Sequence, residues 1–438
     1  MPEMKIDLNV SKCHLSDFLD AFKGHLGLMT LSEEELKDLE LSLKAVRQPL
    51  LAIGDGGGGK TEGIMATVAQ VNETLKKNPD TEHIHFGFKK IQLGQTIVGD
   101  LQGIPVVDPT TGEVRKLTAD DLPQTDESKD DFNEYGVLFL DELSSANVEQ
   151  VQPALGLADG SRTISTYHLP EHWMVVAAGN GPNCSNFVRL DDITVSRFEV
   201  FDIDYDYKTD WRPWATTHGI LPEIIAFLNL EEKWFIAPIK DDMRKPEEGK
   251  QYPCPRTWEK LSNAIKIHKA LNNGDFPSDI ASFASRSIGK EAARNFASFC
   301  KFREKVAYDT EKILAGTEKL PKKSIDKEVY QLVVQRCVMA LQKELEGKGT
   351  PPVVEGGDWT YPQELVKRTA NFFDWLLELA SYELDPVVKT LIYARNTSED
   401  ISHISLSMYF EQICPKFNKF TEDNQSLIAS IQGNLKEM

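Results

Sequence analysis

The chain has 438 residues, of which 41% are hydrophobic and 27% charged, and its formal net charge is −19 at pH 7. The length predicts about two to four domains, and the apolar content suffices for a core. The acidic balance argues against broad, sequence-independent binding of nucleic acid. No apolar run is long enough for a membrane span, and the six cysteines are dispersed without a CxxC pair, so we expect a reduced, cytoplasmic protein.

The N-terminal residues 1–47 have a helical pattern. Apolar residues recur at helical spacing over residues 15–22. Ser32 followed by Glu35 forms a capping box, which predicts a second helix running to about Val46. We expect this segment to pack against the domain that follows it.

The stretch from Leu50 to Thr61 has the pattern strand, glycine-rich turn, helix. The apolar run LLAI predicts a buried strand, and GDGGGGKT matches the P-loop motif GxxxxGK[ST]. Glycines let the backbone N–H groups wrap phosphates, Lys60 can reach the β- and γ-phosphates, and the Thr61 hydroxyl can hold Mg²⁺. A helix is predicted from Glu62 to Leu75. The alternative is a glycine-rich turn that binds nothing.

Two weaker strand patterns follow. Residues 83–88 predict a strand after a turn at Asn78–Asp80. Farther on, the irregular segment 95–125 contains two short strand-like runs, IPVV at 104–107 and EVRKL at 113–117, separated by Pro109 to Gly112. This pattern predicts a β-hairpin.

The stretch from Gly136 to Glu142 is the second one that contains candidate functional residues. Its apolar run VLFL predicts a buried strand, and Asp141 and Glu142 follow at its carboxyl end. Ligands of open α/β sheets bind outside the carboxyl ends of the strands. Asp141 is therefore a candidate for holding Mg²⁺, and Glu142 for polarising an attacking water as general base. A helix is expected from Asn147 to about Leu157.

Another buried strand is predicted from Trp173 to Asn180. Asn180 is a candidate for orienting the attacking water, with a simple strand-end turn as the alternative. Arg197 precedes an apolar strand at 199–203 and is a candidate arginine finger, which would offset phosphate charge in a neighbouring copy. Arg189 is a rival for that role, and a structural salt bridge is the alternative for either residue.

Strands alternate with helices from 48 to 204, which predicts an α/β fold with a doubly wound parallel sheet. Beyond Asp210 the patterns are helical. They predict helical structure at 211–230 with a helix start at Leu221–Pro222. Further helices are predicted at 255–271, 290–306, 329–340 and 365–379, with loops at 238–255 and 347–358. Arg256 lies at a helix start, against the preference of the helix dipole for acids there, and this favours a phosphate contact.

The ordered set GDGGGGKT, VLFLDEL, VVAAGN, SRF and PRTWE resembles the MoxR-like branch of the AAA+ ATPases. GDLQGIPVVDPTTGEV is similar to the helix-2 β-hairpin insert of that branch. The similarity covers residues 35–305. It implies an AAA+ fold with a nucleotide-binding domain at 47–209, which contains the insert at about 95–125, and a helical lid at 210–310. The helical patterns on either side give an N-terminal segment, 1–46, and a C-terminal helical region, 311–438.

The resemblance also implies roles for single residues. Gly54, Gly56, Gly57, Gly58, Gly59, Lys60 and Thr61 would form Walker A and bind ATP, and Asp141 and Glu142 would form Walker B. Asn180 would be sensor 1, Arg197 the arginine finger and Arg256 sensor 2, acting on its own nucleotide or a neighbour's. Gly56 stands where the family usually has proline, which loosens the loop, so we expect weakened but persisting binding.

Assembly and partners come from the resemblance alone. It implies a homo-oligomeric ring, most often a hexamer, that uses ATP hydrolysis with Mg²⁺ to remodel a protein client in the manner of a chaperone. Proteins with a von Willebrand factor A domain are frequent partners in this branch. Two alternatives stay open: an oligomeric scaffold gated by nucleotide with little turnover, and a DNA-acting translocase, against which the acidic balance counts.

Overall fold

The computed structural model describes residues 10–96, 101–107, 110, 112, 114–117, 121–181, 190–236, 251–301, 308–318, 326–346, 363–380, 419 and 422. The chain divides into two compact units, Met1–Tyr205 and Asp206–Met438.

A six-stranded sheet in which every pairing is parallel forms the centre of the first unit. The strands of this unit are β1 (Lys12–Cys13), β2 (Leu50–Gly54), β3 (Phe86–Gln92), β4 (Ile104–Val107), β5 (Val114–Leu117), β6 (Tyr135–Asp141), β7 (Thr163–Ile164), β8 (Tyr167–His168), β9 (His172–Asn180) and β10 (Glu199–Ile203). The sheet has the order β1-β10-β2-β9-β6-β3. The predicted α/β class with a parallel sheet is confirmed.

Helices cover both faces of this sheet. The helices of this unit are α1 (Leu15–Leu28), α2 (Glu33–Asp38), α3 (Leu43–Val46), α4 (Lys60–Lys77), α5 (Val148–Ala158) and α6 (Asp192–Val195). One buried cluster joins α1 and α4 to the face that carries Phe139 and Val176. A second cluster joins α5 to the opposite face, which carries Leu138 and Val175. Because both faces are buried, β2, β6 and β9 are continuous apolar runs, as parallel strands usually are.

The N-terminal segment differs from its prediction in two respects. Lys12 and Cys13 form an edge strand beside β10, not a helix. The predicted second helix is broken, because Glu40 has a left-handed φ of 57° and the Leu41 N–H bonds back to Leu36 O at 2.8 Å. Ser32 does form the expected capping box with Glu35.

The strand expected at 83–88 begins later and ends later, at Phe86–Gln92. Residues before it form a turn, in which the Ile84 N–H donates to Thr81 O at 2.9 Å. The Asn72 side chain of α4 then pairs with both backbone groups of Phe86, and this fixes where the strand starts.

The predicted hairpin is confirmed as antiparallel strands β4 and β5, with Ile104 opposite Leu117 and Val107 opposite Val114. Two residues of its expected turn, at positions 109 and 111, lie outside the described residues. A second small hairpin, β7–β8, precedes β9 and was not predicted.

The second unit is helical in its described part, as predicted. Its helices are α7 (Arg212–Thr217), α8 (Pro222–Leu230), α9 (Pro255–Leu271), α10 (Ile280–Ile288), α11 (Lys290–Cys300), α12 (Thr310–Leu314), α13 (Lys327–Glu346) and α14 (Gln363–Ala380). The helix start expected at Leu221–Pro222 is confirmed: Pro222 is the first residue of α8, and Gly219, with φ 66°, lies between α7 and α8. The predicted loops fall mostly outside the described residues. Within the described helices, none is long and apolar enough to cross a membrane.

A candidate nucleotide site at the carboxyl edge of the sheet

The glycine-rich turn joins the end of β2 to the start of α4. Gly57 and Gly59 have φ of 82° and 94°, a left-handed backbone that other residues adopt at a cost. The turn therefore needs glycine at these two positions. It leads directly into an 18-residue helix, whose first N–H groups and positive dipole end favour anions.

Lys60, the first residue of α4, is buried against this loop. Its Nζ donates to Gly54 O at 2.8 Å and to Asp55 O at 3.0 Å. The ammonium group also lies 5.7 Å from the centre of the Tyr205 ring, within the range of a cation–π interaction. The positive charge is thus held at the loop, where phosphates would bind.

Thr61 meets the acid at the end of β6. Its Oγ1 donates to Asp141 Oδ2 at 3.1 Å. A hydroxyl and a carboxylate are the hard oxygen ligands that Mg²⁺ prefers. The described residues contain no group of three or more His, Cys, Asp or Glu that could hold a metal by itself. This donor pair therefore fits a Mg²⁺ ion that takes its other ligands from phosphates and water.

Glu142 follows Asp141 with an unusual backbone. Its φ of 60° is left-handed, which is uncommon for a residue with a side chain and frequent at functional sites. Its N–H donates to Asp141 Oδ1 at 2.9 Å, which helps to hold the carboxylate of Asp141. Its own carboxylate is close to Gly94, where a Cβ would lie 2.9 Å from Oε2.

Asn180 ends β9, the strand between β2 and β6, and is paired in register with Gly54. Ser144 Oγ donates to Asn180 O at 2.9 Å and accepts from Asn180 N at 2.6 Å. The Asn180 side-chain amide donates to Ser145 Oγ at 3.3 Å. The carboxyl ends of three neighbouring strands therefore bring together the glycine-rich loop, the two acids and the amide.

Arg197 lies in the turn between α6 and β10 and is half-buried. Hydrogen bonds from Thr194 lower the pKa of Asp191, and the Arg197 charge lowers it further. Burial raises the pKa of Asp159, but hydrogen bonds from Ser161 and the charge of Arg197 make the net shift downward. Within the described part of the chain, Arg197 Nη1 is buried and has no hydrogen-bond partner. Its rival, Arg189, lies outside the described residues.

Arg256 is the second residue of α9, in the other compact unit, and its side chain is exposed. The helix start around it is stabilised by Thr257, whose Oγ1 accepts from Cys254 N at 2.8 Å. The prediction that Arg256 lies at a helix N-terminus is thus confirmed. Its relation to the phosphate loop stays a prediction.

Three residues near the loop and the acids were not singled out from the sequence. Lys90 contacts Asp141, Tyr205 packs on the glycine-rich loop, and Ser144 joins two strand ends. Lys90 and Tyr205 belong to no motif, so only their neighbourhood in the fold reveals them. For Ser144, a small polar residue directly after a strand with two acids was the one available signal.

Comparisons with known proteins add little to this geometry. A scan against protein-family models gave no match, and neither did a search of curated sequences. Among solved structures, a candidate ATPase from Cytophaga hutchinsonii has 16% identity and a TM-score of 0.26, and the alignment covers 63% of this chain and 87% of that one. A variant of RuvB from Thermotoga maritima has 11% identity and a TM-score of 0.32, with 70% and 79% covered.

A third likeness is to the HORMA:CdnC:Trip13 complex from Escherichia coli, with 14% identity, a TM-score of 0.35 and coverage of 65% and 88%. Because all these identities and TM-scores are low, the fold assignment rests on the strand order and the phosphate loop themselves. The chain is an α/β protein with a P-loop at the carboxyl edge of a parallel sheet.

Proposed function

We propose that this chain is a Mg²⁺-dependent ATPase of the AAA+ superfamily, in the branch that the MoxR-like proteins represent. The observation that carries the proposal is the meeting of Thr61 Oγ1 with Asp141 Oδ2 at 3.1 Å, beside a phosphate loop and in the same row of strand ends as Asn180. A glycine-rich turn without phosphate chemistry would not need an acid at this point.

In this proposal the loop amides from Gly54 to Thr61 and the Lys60 ammonium bind the β- and γ-phosphates. Thr61 and Asp141 hold Mg²⁺, which supplies positive charge that offsets the charge of the phosphates. Glu142 accepts a proton from the attacking water, and Asn180 orients that water through a hydrogen bond. Placement at the carboxyl edge of the sheet agrees with where doubly wound folds bind ligands.

Two arginines complete the proposed site from other subunits or the lid. We assign Arg197 as the finger that contacts a neighbouring copy's nucleotide. Arg256, exposed at the start of α9, is assigned as the second phosphate sensor. Both roles follow the resemblance of the SRF and PRTWE motifs.

The proposed working form is a homo-oligomeric ring in the cytoplasm, a hexamer in the first instance. A finger that acts on a neighbour requires such an assembly, because each site then lies between two subunits. The ring would convert hydrolysis into motion that remodels a protein client, and a protein with a von Willebrand factor A domain is the client class that the resemblance favours.

The test is phosphate release with Mg²⁺ and ATP, measured across protein concentrations for the wild type, Glu142→Gln and Arg197→Ala. We expect specific activity that rises with concentration. Loss of the base should lower turnover by about a hundredfold or more, and loss of the finger by roughly a thousandfold. Both variants should still bind a fluorescent ADP analogue, since neither residue belongs to the phosphate loop.

Turnover that is independent of concentration and unaffected by Arg197→Ala would contradict the ring with a shared site. Nucleotide binding with negligible turnover in the wild type would favour the oligomeric scaffold. A salt-dependent mobility shift with single-stranded DNA would favour the translocase, because phosphate contacts weaken as salt rises.

A further inference from the structure

Asp141 has a second cationic partner besides the proposed metal. Lys90 Nζ lies 2.8 Å from Asp141 Oδ2, the same oxygen that accepts the Thr61 hydroxyl. The side chains of Lys90 and Asp141 are only 33% and 13% exposed. An ion pair this sheltered is screened less by solvent than one on the open surface.

The position of Lys90 in the sheet explains how it reaches this acid. Lys90 is paired in register with Phe139, so both side chains lie on the face that α4 covers. The Lys90 ammonium lies 5.9 Å from the centre of the Phe139 ring. Asp141 is two residues beyond Phe139 and therefore on the same face. The lysine thus extends along β6 toward its carboxyl end.

This arrangement has an electrostatic consequence at the proposed metal site. The oxygen that Mg²⁺ would use, directly or through water, is already bonded to an ammonium group. A divalent cation next to Asp141 and Thr61 would lie a few ångströms from a positive charge and would be repelled by it. Phosphates bound at the loop would instead be attracted by the same ammonium group.

We propose that Lys90 is a positioning residue that holds the Asp141 carboxylate and competes with Mg²⁺ for its Oδ2. This inference rests on the proposed function. Lys90 then strengthens the binding of nucleotide alone and weakens the binding of the metal. The factor by which Mg²⁺ tightens nucleotide binding is therefore smaller with Lys90 than without it.

The experiment measures the dissociation constant of a fluorescent ADP analogue, once with EDTA and once with saturating Mg²⁺. The constant with EDTA is divided by the constant with Mg²⁺, and this ratio, the factor by which Mg²⁺ tightens binding, is compared between the wild type and Lys90→Met. We expect removal of the ammonium group to raise this ratio roughly tenfold. Titration of Mn²⁺ into the nucleotide-bound protein, followed by electron paramagnetic resonance, should show correspondingly tighter metal binding.

A matched control is the neighbouring Lys89→Met. Lys89 points to the other face of β3 and pairs with Asp131 at 3.1 Å, so its loss removes the same charge from the same strand. Its ratio should equal that of the wild type. Lys90→Arg retains the positive charge and should stay within about threefold of the wild type. Lys90→Gln replaces Lys90→Met if the methionine variant does not fold.

The outcomes separate the two proposals. A wild type that binds the analogue tightly, with a ratio that is unchanged or lowered in Lys90→Met (or in Lys90→Gln, if the methionine variant does not fold), overturns the role of Lys90 and leaves the proposed function standing. A rise of the same size in Lys89→Met also overturns it, because the effect would then be one of net charge. A wild type that binds no analogue with or without Mg²⁺ overturns the proposed function and this inference with it.

Discussion

At the scale of single residues, the phosphate loop is packed against an aromatic ring. The Tyr205 ring occupies the space that a side chain at Gly58 would need, and it also approaches Gly54. Gly58 itself needs no left-handed backbone, so its lack of a side chain serves this close approach. The loop conformation and the ring therefore depend on each other.

We predict that Gly58→Ala weakens nucleotide binding, because the new methyl group overlaps with Tyr205 and must displace either the ring or the loop. Overpacking of this kind costs about 1–3 kcal/mol, which corresponds to roughly tenfold or more in the dissociation constant of a fluorescent ADP analogue. The double variant Gly58→Ala with Tyr205→Ala should recover part of the loss.

Gly160→Ala is the control for that experiment, since a Cβ at position 160 has no neighbour within 4 Å and binding should be unchanged. Equal losses in Gly58→Ala and in the double variant would show that Tyr205 does not restrict this position.

At the scale of secondary-structure elements, a buried serine joins β6 to β9. Ser144 is fully buried just after β6, and its hydroxyl bonds with both the N–H and the C=O of Asn180 at the end of β9. These bonds hold two strand ends in the register that brings Asn180 close to the segment after Glu142. The proposed sensor is thus positioned by a residue outside the sequence motifs.

Ser144→Ala should lower the free energy of unfolding by about 1–3 kcal/mol, because two backbone groups lose a buried partner. Urea unfolding followed by circular dichroism measures this change. Turnover should fall as well, since Asn180 loses its support. Ser128, whose hydroxyl bonds with Asp126 in an exposed turn, is the control, and Ser128→Ala should change stability by less than about 0.5 kcal/mol. Equal stability of the two variants would argue against this role for Ser144.

The elements that were predicted correctly have a strong local signal. The apolar strands β2, β6, β9 and β10 are short runs bounded by turns or acids, and α4, α9, α13 and α14 have long amphipathic patterns. The pattern at residues 83–88 was misleading. The strand actually contains Lys89 and Lys90, whose charges are stabilised by Asp131 and Asp141 from elsewhere in the fold.

Other features depend on contacts that the local sequence does not reveal. The two-residue strand β1 exists because β10 lies beside it. The break in the predicted helix 32–46 depends on the left-handed backbone of Glu40, a residue that does not usually signal one. For the site, the motifs identified the loop and the acids, whereas Lys90 and Tyr205 come from sequence-distant segments.

At the scale of the whole molecule, the N-terminal segment belongs to the first compact unit. Strand β1 extends the sheet at its β10 edge, and α1 packs on α4 with its apolar side. Phe18 is fully buried there, with its ring 5.3 Å from that of Phe201. The core of this unit therefore includes residues that precede the phosphate loop.

Phe18→Ala should destabilise the first unit by about 3–5 kcal/mol, because a large buried ring leaves a cavity that its neighbours fill only in part. A shift of the midpoint of urea unfolding measures the effect. On heating, Phe18→Ala should also release bound nucleotide at a lower temperature than the wild type. Met65→Ala on the exposed side of α4 is the control and should be nearly neutral. A small effect of Phe18→Ala would mean that α1 contributes little to the core.

The left-handed backbone of Glu142 has a consequence for how such a chain would change over evolutionary time. If Glu142 is the proposed general base, its chemistry comes at the expense of stability at φ 60°, since glycine or asparagine adopts this backbone more easily. If a descendant of this protein were no longer selected for turnover, drift at position 142 toward glycine would stabilise the fold. The identity of this one residue in related chains would therefore distinguish chains selected for turnover from chains that have lost that activity.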